Sequence, residues 1–443
     1  MIEIIPVGGY SEVGKNMTCV RIDDEILILD MGLYLPAVLS YEEGDPRNLT
    51  TQDLIKIGAI PNDENLRKEK DKVKAIILGH CHLDHIGAVP HLGFHYNCPI
   101  IGAPYTLEVL KNILEENHKS LTKKFKPMNY NSSMKISKDI ELEFFPITHS
   151  TLQTVLVVIH TKYGDIIYAN DFKLDNHPVL GQKPNYERLE KLGENCLVLI
   201  MDSLYSNLEG KTPSEKVAKE MLKDVLLGVR SEDNAIIVTT FSSHIARLKS
   251  IVEFGKSLNR KIVFLGRSLS NYVGAAENLN LINFGKEVEI IGYRREVQKK
   301  LKEIQEKGRN NYLIVCTGNQ GEPDSILSRI TNQDLEFELL PNDNVIFSCR
   351  TIPTEMTIKN RAELEKKLRQ KHVRIFTGIH VSGHAAREDH RDMITMLKPK
   401  NIIPTHGDRS ITKGLEILAE EMGYELGKSV HLLSDNKSVK INV

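Results

Sequence analysis

The stretch GHCHLDHIG, residues 79–87, sets His80, His82, Asp84 and His85 within six positions. It closes the apolar run KAIIL, which reads as a strand. His80 and His82 are two apart and so leave an extended backbone on the same side. Asp84 and His85 follow in the turn and reach a point further along. One cluster of this kind serves two metal positions, with His80 and His82 on the first and Asp84 and His85 on the second. Three further apolar runs end in a residue able to ligate: His149 in FFPITHS, Asp171 in IIYAND and His406 in IIPTHGD. Asp171 is the natural bridging carboxylate. Imidazole and carboxylate donors without thiolate suit Zn²⁺, with Mn²⁺ or Mg²⁺ as alternatives. Cys81 alternates away and reads as a neighbour. A pair of such ions polarises a phosphoryl oxygen and activates water near neutral pH, so the chemistry to expect is hydrolysis. A lone histidine is commonly an ordinary core or surface residue. Seven ligand-type residues at strand ends, four of them in one string, are costly to bury without an ion. Asp30, closing ILILD, either caps a turn or orients a ligand histidine from behind.

The elements that must position these residues are short and rich in β-branched side chains: IEIIPVGG, EILILDMG, PIIGAP, VLVVIHT, DIIYAND and CLVLIMDS all read as strands. The KYGD turn between VLVVIHT and DIIYAND predicts a hairpin, so the first half is an antiparallel or mixed sheet system with helices added. After Asp202 the rhythm changes. SEKVAKEMLKDVLLGVRSEDNAIIVTTF and the two stretches after it each show a helical period followed by a buried strand, the pattern of a doubly wound α/β domain. The expected organisation is a first domain in two parts, 1–205 and 350–443, with an α/β domain inserted at 206–349.

The chain has 443 residues, is 41% hydrophobic and 26% charged, and carries a formal net charge of -1. That is enough apolar material for two globular domains, and it excludes a global basic field. A nucleic-acid substrate must therefore meet a local concentration of basic groups. No stretch approaches the length of a membrane span, and the N-terminal MIEIIPVGGYSEVGKN reads as neither signal peptide nor anchor. Six scattered cysteines without a CxxC pair read as reduced thiols of a cytoplasmic protein.

HCHLDH, His149, Asp171 and His406 resemble the successive motifs of the metallo-β-lactamase superfamily, an αββα sandwich with a dinuclear site at one edge, and Asp30 matches its first motif. That fold alone serves thioesters, lactams and phosphodiesters. A second constellation, GIHVSGHAAREDH, narrows the choice. His380, Val381, Ser382, Gly383 and His384 form a loop-to-helix corner offering amides, a hydroxyl and two imidazoles. Such a set suits a phosphate oxygen and a leaving-group proton, with helix capping as the plainer alternative. HVSGHA together with an inserted α/β domain is similar to the β-CASP branch, whose members act on nucleic acids. MDSLYSN supplies another of its motifs through Asp202. TGNQGEPDSILSRI and VIFSCRTIPTE resemble the ribonuclease J family over nearly the whole chain, with Pro353-Thr354 replacing the family's usual Gly-Asn. The C-terminal domain of bacterial members is expected to be missing, which leaves a homodimer open.

This resemblance implies a metal-dependent ribonuclease holding two Zn²⁺ and acting on single-stranded RNA in decay and maturation, with any decay-complex partners unidentified. The expected action is processive, 5′ to 3′, from a 5′-monophosphate end. Asp84 would hold the nucleophile, while His384, assisted by His380, would serve the leaving group. Candidates for the terminal phosphate are Ser242, Ser243 and His244 at a strand-to-helix corner, Arg267 and Ser268 at another, and Ser348. Ordinary N-capping by Ser242 or Ser243 competes with that reading. The rival functions are an endonuclease using the same site, a thioesterase-type small-molecule hydrolase, and an inactive RNA-binding scaffold.

Overall fold

The computed structural model describes residues 1–41, 48–117, 119–352 and 354–443, so Pro353 lies outside the described residues. The apolar runs are strands, and they form three sheets in two units.

The first unit comprises Met1–Asn176, Gly181–Thr212 and Gly383–Val443. One sheet has seven strands in the order Val439–Ile441, Ile2–Gly8, Met17–Ile22, Glu25–Leu29, Val73–Leu78, Ile100–Gly102 and Phe125–Pro127. The second has six, in the order Asn401–Thr405, Cys196–Asp202, Gly164–Ala169, Val155–Thr161, Ile140–Pro146 and Ser133–Lys135. The expected hairpin is present, with Val155–Thr161 antiparallel to Gly164–Ala169 and Gly164 at φ 128 in the turn. Alternation decides which side chains go inward. In Ile140–Pro146, Ile140, Leu142 and Phe144 are buried while Glu141 and Glu143 are half-exposed. These inward residues meet Ile4, Leu27, Leu29 and Ile77 of the other sheet in one core. Helices Tyr186–Leu192, Arg387–Leu397 and Arg409–Glu421 cover the outer face of the second sheet through Leu189, Met393 and Leu415. Leu107 of helix Pro104–Glu116 packs on Gly102 of the first sheet, where a Cβ would lie 3.2 Å from Leu107 Cδ2. The result is the αββα sandwich. Each fully buried Leu, Ile or Phe contributes about 1.5–3 kcal/mol, so charged groups at the sheet edge are anchored on a stiff support.

Strand direction sets that edge. Glu25–Leu29 runs parallel to Val73–Leu78, and Gly164–Ala169, Cys196–Asp202 and Asn401–Thr405 run parallel to one another. Their C-terminal ends deliver Asp30, His80, Asp171, Asp202 and His406.

The second unit comprises His177–Leu180 and Pro213–Ser382. Its six strands are all parallel, in the order Val288–Ile291, Lys261–Leu265, Tyr312–Cys316, Ile236–Thr239, Asn344–Phe347 and Arg374–Phe376. Helix Arg294–Lys307 covers one face through Val297, Leu301 and Ile304. Helix Ile245–Ser257 lies on the other, where a Cβ at Gly255 would meet Ile262 and Leu313. This is the doubly wound insertion, but it runs further than 206–349. Helix Glu355–Gln370 packs Leu364 and Leu368 onto this sheet, and Arg374–Phe376 pairs with Asn344–Phe347 as an edge strand. At the other end Ser206 stays with the first unit, its Oγ donating to Ser203 O at 2.8 Å. No helix among the described residues is long and apolar enough to cross a membrane.

Candidate metal centre

The ligand-type side chains converge on Asp171 in two main groups, and a third group of Asp171, His384 and His406 overlaps both. His80, His82, His149 and Asp171 form the first, and their ligand atoms lie within 4.8 Å of one another. Within it, His82 Nδ1 is 3.0 Å from His80 Nε2 and 3.2 Å from His149 Nε2. Asp171 Oδ2 is 3.5 Å from both His80 Nε2 and His149 Nε2. A Zn–N bond of about 2.0–2.1 Å makes the edge of a tetrahedron about 3.3 Å, so these spacings fit four donors around one ion. Asp84, His85 and His406 form the second group. Asp171 turns its other oxygen that way, with Oδ1 at 3.3 Å from His85 Nε2. Among the described residues that buried oxygen has no hydrogen-bond partner, an expensive arrangement that a cation would relieve. The residues present therefore fit a pair of divalent ions sharing one carboxylate.

The rings are aimed from behind. His85 Nδ1 donates to Asp30 Oδ2 at 2.7 Å, His149 Nδ1 to the Gly383 carbonyl at 2.7 Å and His406 Nδ1 to Asn16 Oδ1 at 3.0 Å. In each case the partner fixes the tautomer and leaves Nε2 facing inward. Asp30 is itself held by Gly79 N at 2.8 Å and by the Tyr168 hydroxyl at 2.9 Å, so it orients His85 from behind. Asp30 and His406 sit at φ 59 and 62, a left-handed backbone immediately after a strand that non-glycine residues adopt mainly where a site demands it. Cys81 is buried against Thr151 Oγ1 at 3.0 Å, away from the ligand atoms.

Charge follows burial. Desolvation holds His80 and His149 well below the ordinary histidine range and pushes His82 down to about 4, leaving neutral rings with lone pairs for an ion at neutral pH. His85 behaves oppositely. Against its burial, Asp171, Asp84 and Asp30 raise it well above that range, marking the second group as a place for positive charge.

His384 adjoins both groups. Its Nδ1 donates to Asp202 Oδ2 at 2.8 Å, and its Nε2 is 3.8 Å from Asp171 Oδ2. Burial pulls its pKa down, but Asp171 and Asp202 raise it to about 9. Gly383 beside it leaves no room for a side chain, since a Cβ would lie 2.7 Å from Ser150 Cβ and 3.0 Å from His149 Cε1. Gly383→Ala is therefore expected to displace His149 and weaken metal affinity by about 10–100-fold, as loss of an orienting partner does. Calorimetric titration with Zn²⁺ reads this directly, and wild-type affinity would contradict it.

The remaining candidates belong to the second unit. His380, Val381 and Ser382 end it, with the His380 ring edge-on to Phe241 at 6.5 Å. Ser242 Oγ and Ser268 Oγ are 2.9 Å apart at the surface, and Arg267 beside Ser268 is exposed, so the two corners come together. The cap of helix Ile245–Ser257 is His244, which accepts from Arg247 N at 3.4 Å, rather than Ser242 or Ser243. Ser243 is buried. His244 is buried too, with Nε2 3.4 Å from Glu215 Oε2. Ser348 is fully buried and its hydroxyl is already engaged, accepting from Arg247 Nη1 at 2.9 Å and donating to the Ile379 carbonyl at 2.9 Å. Ser348 and His244 are thus corrected from phosphate contacts to parts of an internal network centred on Arg247, which also forks onto Glu215 at 2.5 and 2.8 Å. Sequence reading missed Arg247. Its one signal is a charged residue on the same helix face as Ile251. Arg247→Ala strands the buried Glu215 and is expected to destabilise the unit by about 3–5 kcal/mol in urea unfolding. A loss below about 1 kcal/mol would contradict the network's role.

The fold and these edge residues define a metallo-β-lactamase-type metallohydrolase with an inserted β-CASP domain. A model of the metallo-β-lactamase superfamily matches residues 12–208, one for the ribonuclease J β-CASP domain matches 233–363, and one for a Zn-dependent metallo-hydrolase RNA specificity domain matches 371–432. The chain is 46% identical to Ribonuclease J of Methanocaldococcus jannaschii over 98% of both chains. It is 44% identical to Ribonuclease J of Pyrococcus abyssi over 100% of this chain and 97% of that one. Helicobacter pylori Ribonuclease J (strain ATCC 700392 / 26695) is 32% identical over 99% of this chain and 61% of its own. A crystal structure of a protein of unknown function from Enterococcus faecalis V583 covers 99% of each chain with a TM-score of 0.66 at 15% identity, a likeness of fold. The chain belongs to the ribonuclease J family and is a metal-dependent ribonuclease.

Proposed function

We propose that the protein is a zinc-dependent 5′-to-3′ exoribonuclease that removes nucleotides from 5′-monophosphorylated single-stranded RNA. The observation that carries the chemistry is Asp171, whose two oxygens serve two adjoining ligand groups with His384 alongside. In this reading His80, His82, His149 and Asp171 hold one Zn²⁺, and Asp84, His85, His406 and Asp171 hold the other. Bound there, the ions supply Lewis acidity toward the phosphoryl oxygen and lower the pKa of water. Asp84, partly exposed, holds and orients the attacking water in line with phosphorus. The P–O3′ bond breaks, and the leaving 3′-oxygen takes a proton from His384 Nε2. Against its burial, Asp171 and Asp202 raise the His384 pKa to about 9, which favours the protonated form an acid needs. The products are a nucleoside 5′-monophosphate and an RNA with a new 5′-phosphate, ready for the next cycle.

The terminal phosphate is assigned to the corner of Ser242, Arg267 and Ser268, where helix Arg267–Asn278 begins at Gly266 and its first amides favour an anion. His380 and Ser382, at the end of the second unit, are assigned to a backbone phosphate of the RNA. Contacts of this kind follow the backbone, so binding is salt-dependent and indifferent to sequence, and selection against DNA rests on the 2′-hydroxyl. The six cysteines, all buried and free, support a cytoplasmic location.

The test is a time course on single-stranded RNA labelled at its 5′ end, as the 5′-monophosphate and the 5′-hydroxyl. Prompt release of labelled mononucleotide from the monophosphate alone is the expected result. Longer labelled fragments, formed equally from both, would replace this reading with an endonuclease at the same site.

A further inference from the structure

Asn16 is 1% exposed and directly precedes strand Met17–Ile22, away from the strand ends that carry the ligand-type residues. Its amide nevertheless enters the second group. Oδ1 accepts from His406 Nδ1 at 3.0 Å, and Nδ2 donates to the Asp84 carbonyl at 3.1 Å. Only this orientation of the amide satisfies both partners. Nδ2 also lies 3.1 Å from His85 Nε2 and 3.4 Å from Asp84 Oδ2, so the side chain borders all three residues. The main chain is locked in as well, with Asn16 N donating to Asp84 O at 2.9 Å and Gly32 N donating to Asn16 O at 2.9 Å. Two glycines make the room: a Cβ on Gly9 would lie 2.5 Å from Asn16 Oδ1, and one on Gly32 would lie 2.7 Å from Asn16 N.

We propose that Asn16 is a positioning residue that sets the affinity of the second metal position, by orienting His406 and fixing Asp84, independently of the first. This rests on the two-ion reading above. The first position is oriented differently, His149 by the Gly383 carbonyl at 2.7 Å.

The test is calorimetric titration of metal-depleted wild type, Asn16→Ala and Asn16→Asp with Zn²⁺. Wild type is expected to take two ions. Asn16→Ala keeps the first step at wild-type affinity and weakens the second by about 10–100-fold. Asn16→Asp retains an acceptor for His406 and holds the second step within about tenfold of wild type. The unchanged first step reports that the variant is folded. Should alanine unfold the protein, the near-isosteric Asn16→Leu takes its place with the same expectation. Two wild-type steps in the alanine or leucine variant, or equal weakening of both, would overturn the proposal and leave the two-ion reading standing. A wild type that binds a single ion would overturn both.

Discussion

Asp171→Ala is expected to lower kcat/KM on RNA by about 10⁴-fold or more, because the loss removes a shared carboxylate from both ligand groups. Among the described residues, it is the carboxylate that turns one oxygen to each group. Asp171 Oδ2 lies 3.5 Å from His80 and His149, while Oδ1 lies 3.3 Å from His85. Its charge also raises the His384 pKa, so the substitution disturbs the acid as well. Elemental analysis after gel filtration should show metal lost together with activity, while circular dichroism stays that of the wild type. A variant that keeps both ions and more than about a hundredth of wild-type activity would show that Asp171 does not bridge.

His384→Ala separates chemistry from metal binding. Asp202 fixes the ring through Nδ1 and leaves Nε2 toward the site, the disposition of a general acid. Its removal is expected to lower kcat by about 10²–10⁴-fold with metal content unchanged. The sign of the pH effect follows from the raised pKa. The acid form predominates below about 9 and is lost as pH rises through that value, so the wild type should show an alkaline falling limb that the variant lacks. A substrate whose leaving group needs no proton, such as bis-p-nitrophenyl phosphate, should recover most of the loss in the variant. An equal loss on both substrates would mean that His384 serves phosphate binding and not the leaving group.

Much of the centre was legible in the sequence because the seven ligand-type residues close four short apolar runs, four of them after the same run. A strand end is a local signal, and parallel strands bring such ends to one edge. Asp30 and Asp202 stand at strand ends in the same way and were readable as orienting groups. Asn16 was not. It lies just before strand Met17–Ile22, after Lys15 at φ 54, and its partner His406 is 390 positions away, so nothing local announces the contact. Ser348 and His244 misled for the converse reason. Ser348 lies just beyond a strand end and His244 caps a helix, and both carry groups suited to phosphate, yet Arg247 and Glu215 claim them inside the core. The end of the inserted unit was missed because Arg374–Phe376 is a strand of only three residues, too short for an alternation pattern to be read.

The central claim is that hydrolysis of RNA depends on two divalent ions held around Asp171. Its most direct test is to strip the protein with a chelator and return Zn²⁺ or Mn²⁺ in measured equivalents while following cleavage of a 5′-monophosphorylated RNA. The account predicts no cleavage by the stripped protein and a rise that levels off at two ions per chain. Cleavage that persists in the stripped protein, or that is complete at one ion per chain, would contradict it.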